Sequence, residues 1–294
     1  MLGAGLCFAL MGVFVKLGAA WFSSHELVFH RSVIGLLLLL GALSLRHGRR
    51  GGLRVFGAHT GLHVKRGLVG FVALATFFYA VAHLPLSVAV TLNYTSPLFL
   101  ALLMPWQLGE RPSRAQYLTV ALGFVGVVLL LQPWRTPARD LLAGVLGLWS
   151  GIMAAFAYIQ VRRLGRVGEP EWRTVFWFAL VCALGAALLA SIDGGWHAPA
   201  DGLQIGVLLA MGGLATLGQL AMTRAYRTGR TVVVASLAYS TVVFASVLDG
   251  VIWNQGLPPV AWLGMAITVA AGIAAAIGGA RGEAASRRRP RIGE

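Results

Sequence analysis

The stretch TLNYTSPLFLALLMPWQLGERP, Thr91 to Pro112, returns about 145 residues later in weakened form as LAYSTVVFASVLDGVIWNQGLPP, Leu237 to Pro259. In both copies a Tyr stands five residues before a Phe (Tyr94 and Phe99, Tyr239 and Phe244), and an apolar run ends in a polar cluster and a proline. Each copy is long enough to cross a bilayer and carries polar atoms in the half that enters it. The reading is a duplicated membrane chain whose two copies face each other across a two-fold pseudo-axis.

Composition agrees. The chain is 57% hydrophobic and 12% charged, with mean hydropathy +0.76, far from the soluble average. Its 38 glycines suit helices in lipid, which pack through small residues that let backbones approach. The net charge of +14 does not point to nucleic acid, because the bases lie in short segments between apolar runs without aromatic interleaving. Cys7 and Cys182 are the only cysteines, both in apolar runs, so a disulfide framework, a metal cluster and redox chemistry are not expected.

The apolar runs predict an all-α integral membrane protein with ten spans. The first five fall at about 1–20, 27–45, 67–83, 86–108 and 115–131, and the second five at 141–161, 174–192, 203–223, 231–253 and 258–280. The first run lacks an Arg/Lys-rich leader and is expected to be retained. Residues 67–109 contain no Asp, Glu, Lys or Arg, and one helix of that length would be about twice the bilayer core, so His83–Pro85 is read as a turn. The segment QPWRTPARD divides 1–131 from 141–280, and 281–294 is a basic tail expected to be disordered.

With the amino terminus inside, 20 of the 24 Lys and Arg fall in the inner connections and the tail, against only Arg135 and Arg139 outside. Both termini are therefore expected in the cytoplasm. An odd number of spans per half forces the second half to enter the membrane upside down. The expected architecture is two inverted five-helix repeats around a central cavity, a common plan for transporters.

Several features together resemble the drug/metabolite transporter superfamily in its ten-helix EamA-type branch. They are the five-plus-five plan, His30-Arg31 near the start of the second span, SPLFLALLMPWQLGERPS in the fourth, ALGFVGVVLL in the fifth and WLGMAITVAAGIAAA in the tenth. Within the branch the chain is most similar to exporters of aromatic and other neutral amino acids. The resemblance implies a secondary transporter working by alternating access in a bacterial-type inner membrane, multi-pass, with amino acids or similar metabolites as substrates. The second copy departs from the pattern, with Asn254-Gln255 in place of Gly109-Glu110 and Val242 in place of Pro97.

A pathway shows as polar or aromatic side chains at helical spacing within spans, since a polar group facing lipid is costly. Candidates for substrate contact are Tyr79, Asn93, Tyr94, Gln219, Tyr239 and Ser240, with Trp149 and Gln160 on one face of the sixth span. Serines and threonines usually bond back to their own helix, whereas Asn93, Tyr79, Gln219 and Tyr239 carry larger groups that need partners. Lys16 and Asp249 are the charges deepest in apolar runs, each costing about 3 kcal/mol at a helix centre. Lys16 either snorkels to the interface or holds a substrate carboxylate. Asp249 pairs with Lys16, binds an amino group or reaches water. Asp249 and His83 are also candidates for coupling or gating, and His30-Arg31 is read as orienting the second span.

An intramembrane enzyme would need paired carboxylates or metal-ligand spacing, and DDxxD, HExxH and GxGD are all absent. No cofactor, metal or nucleic-acid partner is expected, and the assumed assembly is a monomer in the bilayer. The alternative to metabolite export is translocation of a lipid, a lipid-linked sugar or another amphiphile.

Overall fold

The computed structural model describes residues 1–47, 55–107, 114–132, 134, 137–192, 194, 196–228, 237–254 and 256–288. Eleven helices lie among them: α1 Leu2–Gly18, α2 Ser24–His47, α3 Thr60–His83, α4 Leu86–Asn93, α5 Ser96–Gln107, α6 Arg114–Leu131, α7 Ala138–Arg166, α8 Glu171–Ile192, α9 Gly202–Thr228, α10 Ser240–Trp253 and α11 Pro259–Arg288. By length and composition α2, α3, α7, α8 and α9 are each able to cross a membrane, and the other helices hold shorter apolar stretches.

Prolines set several boundaries. Leu84, held extended (φ −113°, ψ 163°) by Pro85, ends α3, and Pro85 and Pro137 stand as the caps before α4 and α7. The 86–108 stretch is interrupted at Tyr94–Thr95. Pro97 has no N–H to offer the Asn93 carbonyl, and the Thr95 hydroxyl takes the Leu92 carbonyl at 2.6 Å, so the helical ladder is replaced by a local turn. The second copy behaves similarly, with a turn at Tyr239 immediately before α10; the start of the 231–253 stretch lies outside the described residues. Two other expectations are corrected. Helix α3 begins at Thr60, not 67, and α11 continues through the first part of the basic tail to Arg288.

The N-terminal helices α1–α6 pack chiefly on the C-terminal ones. Helix α1 lies against α9 and α10, α2 against α8 and α9, α3 against α7 and α8, α4 against α7 and α10, α5 against α7 and α11, and α6 against α11. The last crossing is a backbone approach: a Cβ on Gly264 would stand 2.6 Å from the Gly126 carbonyl oxygen and 2.5 Å from the Leu130 nitrogen. Only glycine fits there.

Three buried carboxylates tie the two parts of the chain. Asp249 on α10, 1% exposed, accepts the Leu86 N–H at 3.0 Å and the Ser87 N–H at 2.6 Å, and faces the Lys16 ammonium at 3.8 Å. It thus caps α4, which Pro85 leaves without a side-chain cap. Glu26 closes a capping box with Ser23 at the start of α2 and accepts the His197 N–H at 2.6 Å from the α8–α9 connection. Glu169, between α7 and α8, meets His63 of α3 at 3.1 Å and Arg173 at 2.7 Å.

Removing Asp249 takes the carboxylate from the Lys16 ammonium and the acceptor from two buried N–H groups. Asp249→Ala should therefore lower stability by ~3–5 kcal/mol, read as a fall in the midpoint of thermal unfolding in detergent. Asp249→Asn should fall between, and Lys16→Met added to Asp249→Ala should recover part of the loss. An Asp249→Ala protein as stable as the wild type would mean that water caps α4. Burial pushes the Glu169 carboxyl up, but hydrogen bonds from His63 and Arg173 hold it below its ordinary value of 4.5. Its stabilisation is complete above that value and is lost as pH falls through the depressed one. Glu169→Gln should flatten the decline in unfolding temperature below pH 4.5, and parallel curves for the two proteins would exclude this tie as an acid-sensitive element.

Candidate functional site

Where the helices of the two parts meet, the bundle holds a partly open cavity of about 160 Å³. Its wall takes Phe8 and Met11 from α1, Arg31 from α2, Arg66, Gly70 and Phe77 from α3, Asn93 from α4, Ser96 from α5, Ala154 and Tyr158 from α7, Phe178 from α8, Gln219 and Met222 from α9, and Thr241 from α10, with Tyr94 at the α4–α5 break. Helices α6 and α11 contribute no described residue to it.

One side is cationic. Arg31 and Arg66 are each 9% exposed and share the ring of Phe178, with guanidinium carbons 5.7 Å and 4.3 Å from its centroid. Gly70, one turn after Arg66, makes this possible: a Cβ there would run into the Arg66 guanidinium and stand 2.8 Å from the Phe178 ring. Neither arginine has an ion pair with a described residue, and Arg31 Nε, Arg66 Nε and Arg66 Nη1 have no hydrogen-bond partner. The charges lie no farther apart than the sum of their distances to the ring. At an effective dielectric of about 20 they repel by at least about 1.5 kcal/mol, on top of the cost of desolvating each. Stacking on an aromatic face offsets part of this.

The other side is neutral and hydrogen-bonding. Asn93 Nδ2 donates to Ser150 Oγ at 2.9 Å, which leaves its carbonyl oxygen for a solute. The Tyr94 hydroxyl lies 2.9 Å from Thr241 Oγ1, and the Tyr239 hydroxyl donates to the Tyr94 carbonyl at 3.0 Å. The two tyrosines thus meet, with ring centroids 5.8 Å apart. Tyr239 sits behind the wall against Gly272, where any Cβ would collide with its hydroxyl.

Of the residues singled out in the sequence, the cavity brings together Asn93, Tyr94 and Gln219. Lys16 is turned to Asp249 and to the Trp253 ring, 4.6 Å away, outside the wall. Tyr79 stacks on His83 at 4.1 Å, and His83 borders a separate opening with Gln132, Asp140 and Leu257. Trp149 is 44% exposed on the outside of the bundle, while Gln160 is 5% exposed with an unbonded amide oxygen. The Ser240 hydroxyl has no partner and lies beside Gly5. Thr76, Thr91 and Thr216 all bond back to carbonyls of their own helices. Arg66 was counted with an inner connection and Arg31 as an orienting residue; both stand in the wall instead. The Gly70 spacing was the available signal for Arg66, and a weak one in so glycine-rich a chain.

Residues 1–132 match the EamA-like transporter family. The pseudopaline exporter of Pseudomonas aeruginosa strain UCBPP-PA14 is 32% identical over 270 residues, covering 92% of this chain and 89% of that one. A riboflavin transporter of Brucella anthropi is 31% identical over 68% of this chain and 69% of its own length. An uncharacterized transporter of Helicobacter pylori strain J99 is 29% identical over 93% of this chain and 92% of its own. One crystal structure shares the fold, with a TM-score of 0.64 at 21% identity over 94% of this chain and 95% of that one. Likeness of this extent, on a bundle with several helices able to cross a bilayer, means that the chain belongs to the EamA-like transporter family and is a multi-pass membrane transporter of small molecules.

Proposed function

We propose that this chain is a secondary exporter of small, carboxylate-bearing metabolites, amino acids and their analogues among them, working by alternating access in a bacterial inner membrane with both termini in the cytoplasm. The observation that carries the reading is the cavity between the N- and C-terminal helices, where Asn93, Tyr94 and Gln219 converge with two arginines. Kinship with an exporter and with riboflavin transporters supports it. The substrate-contacting set is Asn93, Tyr94, Gln219, Arg31 and Arg66. Lys16, Asp249, Tyr239 and Ser240 act one layer back, holding α1, α4 and α10 around the helix break.

Two inverted repeats account for the packing. If α1–α6 and α7–α11 are exchanged, with α4 and α5 counted as one interrupted span, α1 on α9 becomes α7 on α3, and α2 on α8 and α6 on α11 map onto themselves. Tyr94 and Tyr239, 145 residues apart, both stand at breaks. Gly5 packs on Ser240–Thr241 as Gly151 packs on Leu92–Thr95. Alternating access is the motion this symmetry supplies, since one shape and its inverted copy can exchange conformations across the membrane. Glu26, Glu169 and Asp249 are all engaged in bonds between elements, so transport is proposed to follow the substrate's own gradient without an acidic relay.

In proteoliposomes, saturable uptake of carboxylate-bearing solutes is expected without an imposed pH gradient. Asn93→Ala and Gln219→Ala should each cut kcat/KM by about five-fold, the cost of one lost hydrogen bond to a neutral group, whereas Trp149→Phe should not. Movement of labelled lipid with no uptake of any such solute would replace this reading with the amphiphile translocase.

A further inference from the structure

The arginine pair names the substrate class more narrowly than the transport reading on which it rests. A zwitterionic amino acid brings one carboxylate and one ammonium, and the ammonium would need a carboxylate to receive it. The cavity wall offers none among the described residues. It offers two guanidiniums on one phenyl ring, both at least nine-tenths buried, with Nε and Nη1 groups lacking partners. A guanidinium presents a planar fork matched to carboxylate or phosphate oxygens. Two such forks, both drawn to one phenyl ring, are an incomplete arrangement that two negative charges would complete. We propose that Arg31, Phe178 and Arg66 form an anion subsite, and that the transported solute carries two negative charges within one small molecule, as a dicarboxylate or a phosphate monoester. Arg66 and Arg31 neutralise them, Phe178 fixes the separation of the two forks, and Gly70 keeps the Arg66 berth open. Asn93 and Gln219 then face the uncharged remainder of the solute.

Equilibrium binding to the purified full chain in phosphatidylcholine nanodiscs tests this without requiring turnover. The probes are glutarate, its monoamide glutaramate and its diamide glutaramide, which share a shape and carry two, one and no charges. Glutarate should bind at least tenfold more tightly than glutaramate, with glutaramide undetectable. Arg31→Met and Arg66→Met should each weaken glutarate at least tenfold and leave glutaramide unchanged. Should a Met variant not fold, Arg31→Lys and Arg66→Lys keep the charge without the fork and should weaken glutarate several-fold while preserving the order of the three ligands. Equal binding of the three probes, no binding of glutarate, or unchanged glutarate affinity in both arginine variants would overturn the subsite. Loss of glutarate binding when phosphatidylglycerol replaces phosphatidylcholine would give the site to a lipid phosphate and overturn the solute assignment. Uptake of leucine without binding of glutarate would sink this inference and leave the transport reading standing, whereas glutarate binding without uptake of any solute would do the reverse.

Discussion

The Asp249 carboxylate, lodged on the first two N–H groups of α4, is the constraint on which the site depends. Helix α4 is only eight residues long, too short to hold its shape by its own hydrogen bonds. It begins at a proline that supplies no cap and ends at the break where Asn93 and Tyr94 meet the cavity. Its position is therefore fixed from outside. A carboxylate from α10 completes its first turn, Lys16 of α1 balances that carboxylate, and the Leu86 side chain fills the hollow left by Gly12 of α1. Three helices are registered against one another by a single buried anion.

Glu26 and Glu169 repeat the arrangement at other connections. Each sits beside the start of a helix, α2 and α8, and each reaches a histidine from the other part of the chain. The consequence is electrostatic as well as mechanical. All three buried carboxylates are committed to joining elements, so none is left to balance the arginines in the wall. Burying Arg31 and Arg66 without an ion-pair partner among the described residues costs free energy that stacking on Phe178 offsets only in part. Such a cost persists where the surroundings fix the groups firmly, and here Phe178 and Gly70 do so.

The sequence exposed the all-helical membrane character because a bilayer imposes it: apolar runs of set length are a one-dimensional signal. The Tyr94 and Tyr239 echo led to two residues that touch, and Asn93 and Gln219, singled out because large amides in apolar runs need a reason, both line the cavity. What was not legible depends on direction rather than type. Lys16 and Arg31 each sit within an apolar run, yet one turns to a carboxylate on α10 and the other to a ring on α8. No spacing within α1 or α2 records that difference. Arg66 was hidden for another reason, since a charge close to a span end reads as part of the connection until the helix is seen to start about two turns earlier, at Thr60.

The breaks at Tyr94 and Tyr239 place demands on these two similar stretches that regular helix does not. Elsewhere in a helix one apolar residue can replace another with small loss. At a break the backbone exposes carbonyls that no ladder bond satisfies, and something nearby must donate to them. The Tyr239 hydroxyl gives its hydrogen to the Tyr94 carbonyl, and Gly272 leaves it room to do so. The Tyr94 hydroxyl is in turn fixed by Thr241, two residues beyond Tyr239. Each break is thus stabilised partly by the other. Replacing either tyrosine by a phenylalanine removes a bond to the opposite break, so the two breaks are energetically coupled.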